Sequence, residues 1–337
     1  MKAWQLHGLG LENLKPGEAP IPTPQANEVL IQVKAVSLNF RDKAIVDGIY
    51  EPELVPKLLI PVSDVVGTVV AVGQEVTHLK EGDRVNSNLY SSWVDGDAEP
   101  DYGLFSYGTP LPGALAEYMI LNASTSVKAP AFMSDEEAAT LPIAALTAWY
   151  AMTDLGQLKP GQTVLVQGTG GVSIFALQLA TALGAKVIAT SSRDENLARV
   201  KELGAWQVIN YRQHPAWEKK TLEFTNGRGV DQLLDVVGGE GLNQSVQATR
   251  IGGQIHQIGF LDSQVSKLDL MPVLFRQTVL RGICVGPAQS FERMNEFLNQ
   301  HRIHPVIDTV YSFDQAREAY EHLARGAFGK IVIKVSA

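Results

Sequence analysis

The stretch VLVQGTGGVS, Val164 to Ser173, decides how this chain is read. A run with strand character leads straight into glycines, and an apolar helical pattern over Val172–Leu183 follows and stops at Gly184. Gly168 permits a tight turn, while Gly170 and Gly171 let backbone N–H groups approach an anionic ligand closely. The helix beyond directs roughly half a positive charge at the same point. With a second strand following, the turn reads as the pyrophosphate cradle of a dinucleotide site, formed by Gly168, Gly170, Gly171 and Val172. The third position of the usual glycine fingerprint is Ser173, still small enough for close helix–strand packing. An ordinary glycine-rich strand–helix turn is the alternative.

Outward from this turn the chain alternates strand and helix. Strands are expected at Thr163–Gln167, Lys186–Thr190, Gln207–Asn210, Gln232–Val237, Gln254–Ile258 and Leu280–Val285, and a further helix at Glu195–Leu203. Such alternation implies α/β architecture, a doubly wound parallel sheet covered on both faces. The first third is instead β-rich. VLIQVKAV (Val29–Val36) alternates, Val65–Val72 is densely β-branched, and Leu115–Leu121 returns to strand. Ser134 with Glu137 forms a capping-box signature before a helix. After Phe291 the pattern is helix, short strand, helix, strand. The expected division is 1–125, 126–285 and a C-terminal segment 286–337.

At 337 residues the chain suits two domains, and 45% apolar residues supply their cores. The net charge of −8 argues against general affinity for nucleic acid or anionic membrane. The one cysteine, Cys284, allows no internal disulfide and cannot build a four-thiolate zinc site. Its apolar context reads as a buried, inert thiol. The start, MKAWQLHGLG, lacks an apolar core of signal-peptide length, and no window reaches the roughly 20 apolar residues that span a bilayer. The expectation is a cytoplasmic protein.

The second strand of the parallel sheet decides the nucleotide. An NAD site usually ends this strand with an acid that holds the ribose 2′-hydroxyl. Here the tip reads VIATSSRDEN, with Ser191, Ser192 and Arg193 and no acid at the tip, and the next strand ends in Tyr211 and Arg212. Hydroxyls and guanidinium groups suit a 2′-phosphate, so the expected cofactor is NADPH. Ser192 also fits a plain helix N-cap, with Asp194 and Glu195 in the first turn.

The segments EVLIQVKAVSLNFRD, GTVVAVGQEVTHLKEGDRV, GALAEYMIL, LPIAALTAWYAM, VLVQGTGGVSIFALQLA and FGKIVIK together resemble the medium-chain dehydrogenase/reductase superfamily over nearly the whole chain. The branch resembled is the zinc-free, quinone-oxidoreductase-like group, whose members are often called zinc-type alcohol dehydrogenase-like. The resemblance implies a GroES-like β-barrel domain joined to a Rossmann domain, with the active site in the cleft. It also implies a homodimer through the last Rossmann strand, near Leu280–Val285. Thr147 is implied beside the nicotinamide, and Gly259, Phe260, Gly282 and Lys330 fall on cofactor-contact positions of the family.

Zinc-dependent members of that family carry Gly-His-Glu where this chain has Val62-Ser63-Asp64. Asn39 stands near the position of one ligating cysteine, PIAALTAW lacks the other, and the structural-zinc lobe is empty. No metal is expected, and Asp64 reads as a structural acid rather than a catalyst. Hydride arriving at a carbonyl or enone puts negative charge on oxygen, and without a metal, hydrogen-bond donors must stabilise it. Asn39 is the family-matched donor, an Asx turn being the alternative. Tyr50 falls on an aromatic position lining the cleft in zinc-free members; it orients or protonates the carbonyl, or is a packing aromatic. Arg41 and Asp42 read as a pair holding their loop.

The long stretch Ser87–Pro112 carries Tyr90, Trp93, Tyr102, Phe105 and Tyr107. They would wall a flat substrate or form a satellite core, and the wall is preferred. His256 reads as a satisfied polar residue near a strand end. The activity expected is reduction of a quinone, an α,β-unsaturated carbonyl or, as alternatives, a simple aldehyde by an alcohol-dehydrogenase-like enzyme, or a low-turnover NADPH sensor.

Overall fold

The computed structural model describes residues 1–336. Two compact units form: Met1–Leu146 with Gly286–Ala337, and Thr147–Val285. In chain order the strands are β1 (Lys2–Leu6), β2 (Leu14–Glu18), β3 (Glu28–Leu38), β4 (Asp64–Val72), β5 (Arg84–Asn86), β6 (Tyr118–Asn122) and β7 (Val127–Lys128). Then come β8 (Thr163–Gln167), β9 (Lys186–Ser191), β10 (Gln207–Asn210), β11 (Val230–Asp235), β12 (Thr249–Gln257), β13 (Val279–Gly282), β14 (Ile307–Ser312) and β15 (Lys330–Lys334).

The first unit is the GroES-like one. Its main sheet runs β14-β15-β3-β4-β5-β7, with β6 also pairing β3, and β1 and β2 form a separate antiparallel pair. The long, β-branched β3 is the hub. It pairs antiparallel with β4, β6 and β15, which sets Leu38 opposite Ile331 and Ser37 opposite Asp64. Leu6, Leu14, Ile31, Leu38, Ile45 and Leu121 fill the interior, each such side chain contributing about 1.5–3 kcal/mol by burial.

The second unit is a parallel sheet in the order β10-β9-β8-β11-β12-β13. Every pairing is parallel. Numbered from β8 this is the Rossmann order, in which the winding reverses between β8 and β11. Ligands of such sheets bind beyond the carboxyl ends of the strands at that reversal.

Several expectations shift. The first unit extends twenty-one residues past the expected boundary at 125/126, to Leu146. The reason is local pairing: β7 joins β5, Arg84 donates to Asp135 Oδ1 at 2.5 Å, and the Ser134–Glu137 capping box forms on that unit. The last parallel strand is shorter than expected, ending at Gly282, and Cys284 lies exposed beyond it. The reading of Cys284 as buried is therefore corrected: β13 is an edge strand with all four residues exposed. Among the described residues no helix is long and apolar enough to cross a membrane.

Candidate active site

In the first unit, sheet register assembles a buried polar cluster. β3 ends at Leu38, and Asn39 turns the chain into the helix Phe40–Val46 as its N-cap. Because Leu38 faces Ile331 and Ser37 faces Asp64, the next residues out bring Asn39, Lys330 and Asp64 together. Lys330 Nζ donates to Asn39 Oδ1 at 2.6 Å and to Leu38 O at 2.8 Å, and lies 3.5 Å from Asp64 Oδ2. Asn39 Nδ2 donates to Asp64 Oδ2 at 2.8 Å. Asp42 closes the helix start, its Oδ2 accepting the Asn39 backbone N–H at 2.7 Å.

All four side chains are buried. Burial pushes the Asp64 carboxyl up to about 7, against the pull of the Lys330 charge and the Asn39 hydrogen bond. Burial likewise raises Asp42 and lowers Lys330, the latter opposed by Asp64 and Asp42. Desolvation thus wins over pairing for Asp42, Asp64 and Lys330. The Lys330 ammonium, at the position implied to contact the cofactor, is held by Leu38 O, Asn39 Oδ1 and Asp64 within the first unit.

Arg41 takes a different role from the expected pair with Asp42. Its Nη1 donates to Ser63 Oγ at 2.7 Å and Tyr107 O at 3.0 Å, and its Nη2 to Ser106 Oγ at 3.1 Å and Thr109 O at 2.9 Å. A guanidinium fork suits this, since four acceptors lie around one planar cation. The Arg41 Cζ also stands 5.2 Å from the centroid of the half-buried Tyr50 ring. Ser63 Oγ donates in turn to Tyr107 O at 2.8 Å, so the serine at the family's histidine position is tied to the loop. Among the described residues no group of three or more His, Cys, Asp or Glu side chains could hold a metal.

The long aromatic stretch is a satellite core, not a substrate wall. Tyr90 and Tyr102 ring centroids are 4.4 Å apart, and Trp93 lies 5.8 Å from Tyr102. Tyr90, Trp93 and Tyr107 are buried, and the Tyr107 hydroxyl accepts the Asn122 N–H. Phe105 alone of the five is exposed. The rings pack tilted and edge-on here because a long loop must bury something to hold its shape.

In the second unit, the sequence GTGG forms the expected turn between β8 and the helix Gly171–Ala182. Gly168 has φ +74°, which only glycine adopts without strain. A Cβ added at Gly168 or at Gly170 would meet no atom within 4 Å. The turn is therefore open on the side where a phosphate would approach, and the exposed N–H groups of the helix start fit it. Ser173 Oγ donates to Gln167 O at 2.6 Å, which packs the helix onto the strand as the third glycine otherwise would. Val172 lies half-buried in the helix's first turn.

Ser191 ends β9 opposite Asn210, and the Tyr211 N–H donates to Ser191 O at 3.1 Å. This brings Ser191, Ser192, Arg193, Tyr211 and Arg212 to one edge. Arg193, Tyr211 and Arg212 are exposed, and neither guanidinium has a partner among the described residues. Asp194 is engaged by Asn210 Nδ2 at 2.6 Å and Gln213 Nε2 at 3.0 Å. The cap of the following helix is Arg193 rather than the expected Ser192, because that helix begins at Asp194.

Gly259, Phe260 and Gly282 end or follow the adjoining strands β12 and β13, and a Cβ on Gly282 would meet nothing within 4 Å. Thr147, buried, opens the second unit. Sequence reading missed Asp235 at the winding reversal. Its Oδ1 accepts the N–H groups of Val237 and Gly238 at 3.0 and 2.9 Å, and Ser245 Oγ donates to its Oδ2 at 2.6 Å. An acid at the carboxyl end of a parallel strand, closing the run VDQLLD, was the available signal. His256 is fully buried, bonded through Nε2 to Gln232 Oε1 at 3.1 Å, while its Nδ1 has no partner. The expected satisfaction is thus only half met, and burial with the Arg281 charge pushes it down to about 4, leaving a neutral ring.

Comparison with known proteins agrees with both units. Residues 25–131 match the family described as Alcohol dehydrogenase GroES-like domain, and 171–300 the family described as Zinc-binding dehydrogenase. A zinc-type alcohol dehydrogenase-like protein of Schizosaccharomyces pombe is 40% identical, covering 97% of this chain and 96% of its own length. A chloroplastic quinone-oxidoreductase of Triphysaria versicolor is 31% identical over 97% of this chain and 96% of its own. A Sinorhizobium meliloti crystal structure, provisionally described as an alcohol dehydrogenase, superposes with a TM-score of 0.93 at 38% identity, over 99% of this chain and 98% of that one. The chain belongs to the medium-chain dehydrogenase/reductase superfamily, whose members bind a nicotinamide cofactor, and is an oxidoreductase of that superfamily.

Proposed function

We propose that the protein is an NADPH-dependent reductase of quinones, α,β-unsaturated carbonyls or related small electrophiles, working without a catalytic metal. The observation that carries this reading is the cluster at Asn39. Where the zinc members place ligands, this chain has a carboxamide, a serine tied to Arg41 and Tyr107, and an aspartate whose cationic neighbour is Lys330. These residues do not fit zinc, which needs about three protein ligands at a catalytic site. They do fit hydrogen-bond stabilisation of a developing oxyanion.

The bound cofactor supplies the hydride. The chain's own part is to hold its pyrophosphate at Gly168–Val172 and its 2′-phosphate at Ser191, Ser192, Arg193, Tyr211 and Arg212. Gly259, Phe260, Gly282 and Thr147 complete the cofactor contacts. Asn39 donates to the acceptor oxygen, and the Tyr50 hydroxyl orients the substrate or returns a proton to it. NADPH rather than NADH is supported by two exposed, unpaired guanidinium groups at the strand edge and by the engagement of Asp194 elsewhere. The same reading places the protein in the cytoplasm.

The test is NADPH oxidation by chelator-treated protein with an ortho-quinone, an enal and a saturated aldehyde, NADH run in parallel. Turnover of the first two, faster with NADPH, is expected. Activity confined to the saturated aldehyde and restored by zinc would replace this reading with an alcohol dehydrogenase, as the name of the Sinorhizobium meliloti structure suggests. Tight NADPH binding with no turnover of any acceptor would favour a sensor.

A homodimer through β13 belongs to the same proposal. Val279 and Leu280 on that edge strand are 42% and 43% exposed, and Leu274 and Phe275 on the preceding helix are 67% and 73% exposed. An open, apolar sheet edge is a pairing surface, and a second copy satisfies it symmetrically. Light scattering should give twice the chain mass, and Leu280→Lys should give the monomer.

A further inference from the structure

A carboxamide is nearly symmetric in shape, so packing alone does not choose between its two orientations. At Asn39 the neighbours choose. Lys330, which can only donate, faces Oδ1 at 2.6 Å, and Asp64 Oδ2 faces Nδ2 at 2.8 Å. Turning the amide over would set an N–H against the Lys330 ammonium, which has no acceptor to offer, and the carbonyl against the Asp64 carboxylate whenever that group is ionised. Both contacts are buried, where such mismatches cost most. The pair is also expensive to keep, because desolvating two charges usually offsets their attraction. Apolar residues at 64 and 330 would continue the runs VVGTVV and IVI without that penalty. Stability therefore does not account for an ion pair at this place.

We propose that Asp64 and Lys330 are positioning residues. Together they fix the Asn39 amide so that its second Nδ2–H is the donor offered to the substrate oxygen. The proposal rests on the assignment of Asn39 as that donor. It goes beyond it by giving Lys330 a role through Asn39 rather than through the cofactor.

The experiment is a double-mutant cycle on the full-length protein with Asn39→Ala, Lys330→Met and their combination, using NADPH and an ortho-quinone. Alongside it, the side-chain amide signals of Asn39, assigned by their loss in Asn39→Ala, are followed in 1H–15N spectra without cofactor. Each single change should lower kcat about tenfold to a hundredfold with KM for NADPH changed less than about twofold. The double variant should be no slower than Asn39→Ala, because Lys330 acts only through the amide. In Lys330→Met the Asn39 amide signals should lose their protection from exchange.

Multiplicative losses in the double variant, or a raised KM for NADPH at unchanged kcat, would overturn the proposal. Full activity in Asn39→Ala would remove the functional assignment instead, and the amide spectra would still decide whether Lys330 and Asp64 hold the side chain. Should Lys330→Met not fold, Asp64→Leu/Lys330→Met removes both charges at once and carries the same expectations.

Discussion

The ammonium of Lys330 lies 2.6 Å from the carboxamide oxygen of Asn39, across 291 residues of chain. That contact exists because β15 returns from the far end of the sequence to pair with β3. It buries a lysine, an asparagine and two aspartates together, and each titratable member is pushed toward its neutral form. The consequences for stability and for the proposed chemistry can be separated by experiment.

The first concerns pH. Asp64 is raised to about 7 in the folded protein from an ordinary value near 4. A raised carboxyl favours folding while both states are protonated, below about 4, and that contribution is lost as pH rises through about 7. Buried Asp42, raised by the same cause, adds in the same direction. Asp64 should therefore make the wild-type protein less stable at pH 8 than at pH 5.5 by about 2 kcal/mol, while the lowered Lys330 acts in the opposite sense. In Asp64→Asn this pH slope should shrink. Urea unfolding of both proteins at the two pH values measures it, and equal slopes would show that Asp64 does not titrate across this range.

The second separates the two glycines of the phosphate turn. Gly168→Ala places a side chain at φ +74°, costing about 1–2 kcal/mol of stability. Gly170 sits at φ −78°, where alanine is unstrained. Both methyl groups enter open space in the free protein. Gly168→Ala should thus lower Tm and weaken NADPH, while Gly170→Ala should weaken NADPH about tenfold or more with little change in Tm. NADPH fluorescence titration with a thermal melt reads both. Unchanged binding in Gly170→Ala would mean that the pyrophosphate does not approach this backbone.

The legible part of this molecule is the part whose chemistry is local. VLVQGTGGVS shows its strand, turn and helix within ten residues, and the alternation around it fixes a parallel sheet. The Ser134–Glu137 capping box was equally readable, since both hydrogen bonds span three residues. The Asn39–Asp64–Lys330 cluster was not. It depends on the register of β3 with β4 and β15, and nothing in LNFRD or FGKIVIK states that register. Cys284 was misread because an apolar strand looks the same whether it is central or at the edge. The aromatic stretch misled for a related reason: Tyr90, Trp93 and Tyr102 meet only after the loop folds back on itself.

The third prediction tests the nucleotide. Arg193 and Arg212 lie beside Ser191 at one sheet edge, with no partner for either guanidinium among the described residues. Hydrogen bonds between charged groups contribute about 1.5–3 kcal/mol. Arg193→Ala should therefore weaken NADPH by about tenfold to a hundredfold and leave NADH within about twofold. The ratio of the two dissociation constants is the measurement. Equal losses for both cofactors would place the 2′-phosphate elsewhere and reopen NADH as the reductant.

The last prediction divides the two roles open to Tyr50. Its ring lies beneath the Arg41 guanidinium, at 5.2 Å, and packs against the first unit's core. Phenylalanine keeps that ring, and leucine does not. A cation over an aromatic face contributes about 0.5–2 kcal/mol, and Arg41 in turn holds Ser63, Ser106, Tyr107 and Thr109. Tyr50→Leu should thus lower stability by about 1 kcal/mol or more and disturb the loop that Arg41 ties down. Tyr50→Phe should melt like the wild type. With the platform intact, any loss of turnover in Tyr50→Phe belongs to the hydroxyl. The proposed function requires such a loss, about tenfold or more in kcat, because removing a group that donates to the reacting oxygen acts on the transition state. Full activity in Tyr50→Phe together with an unstable Tyr50→Leu would make Tyr50 a support for Arg41, and would leave Asn39 as the donor with solvent supplying the proton.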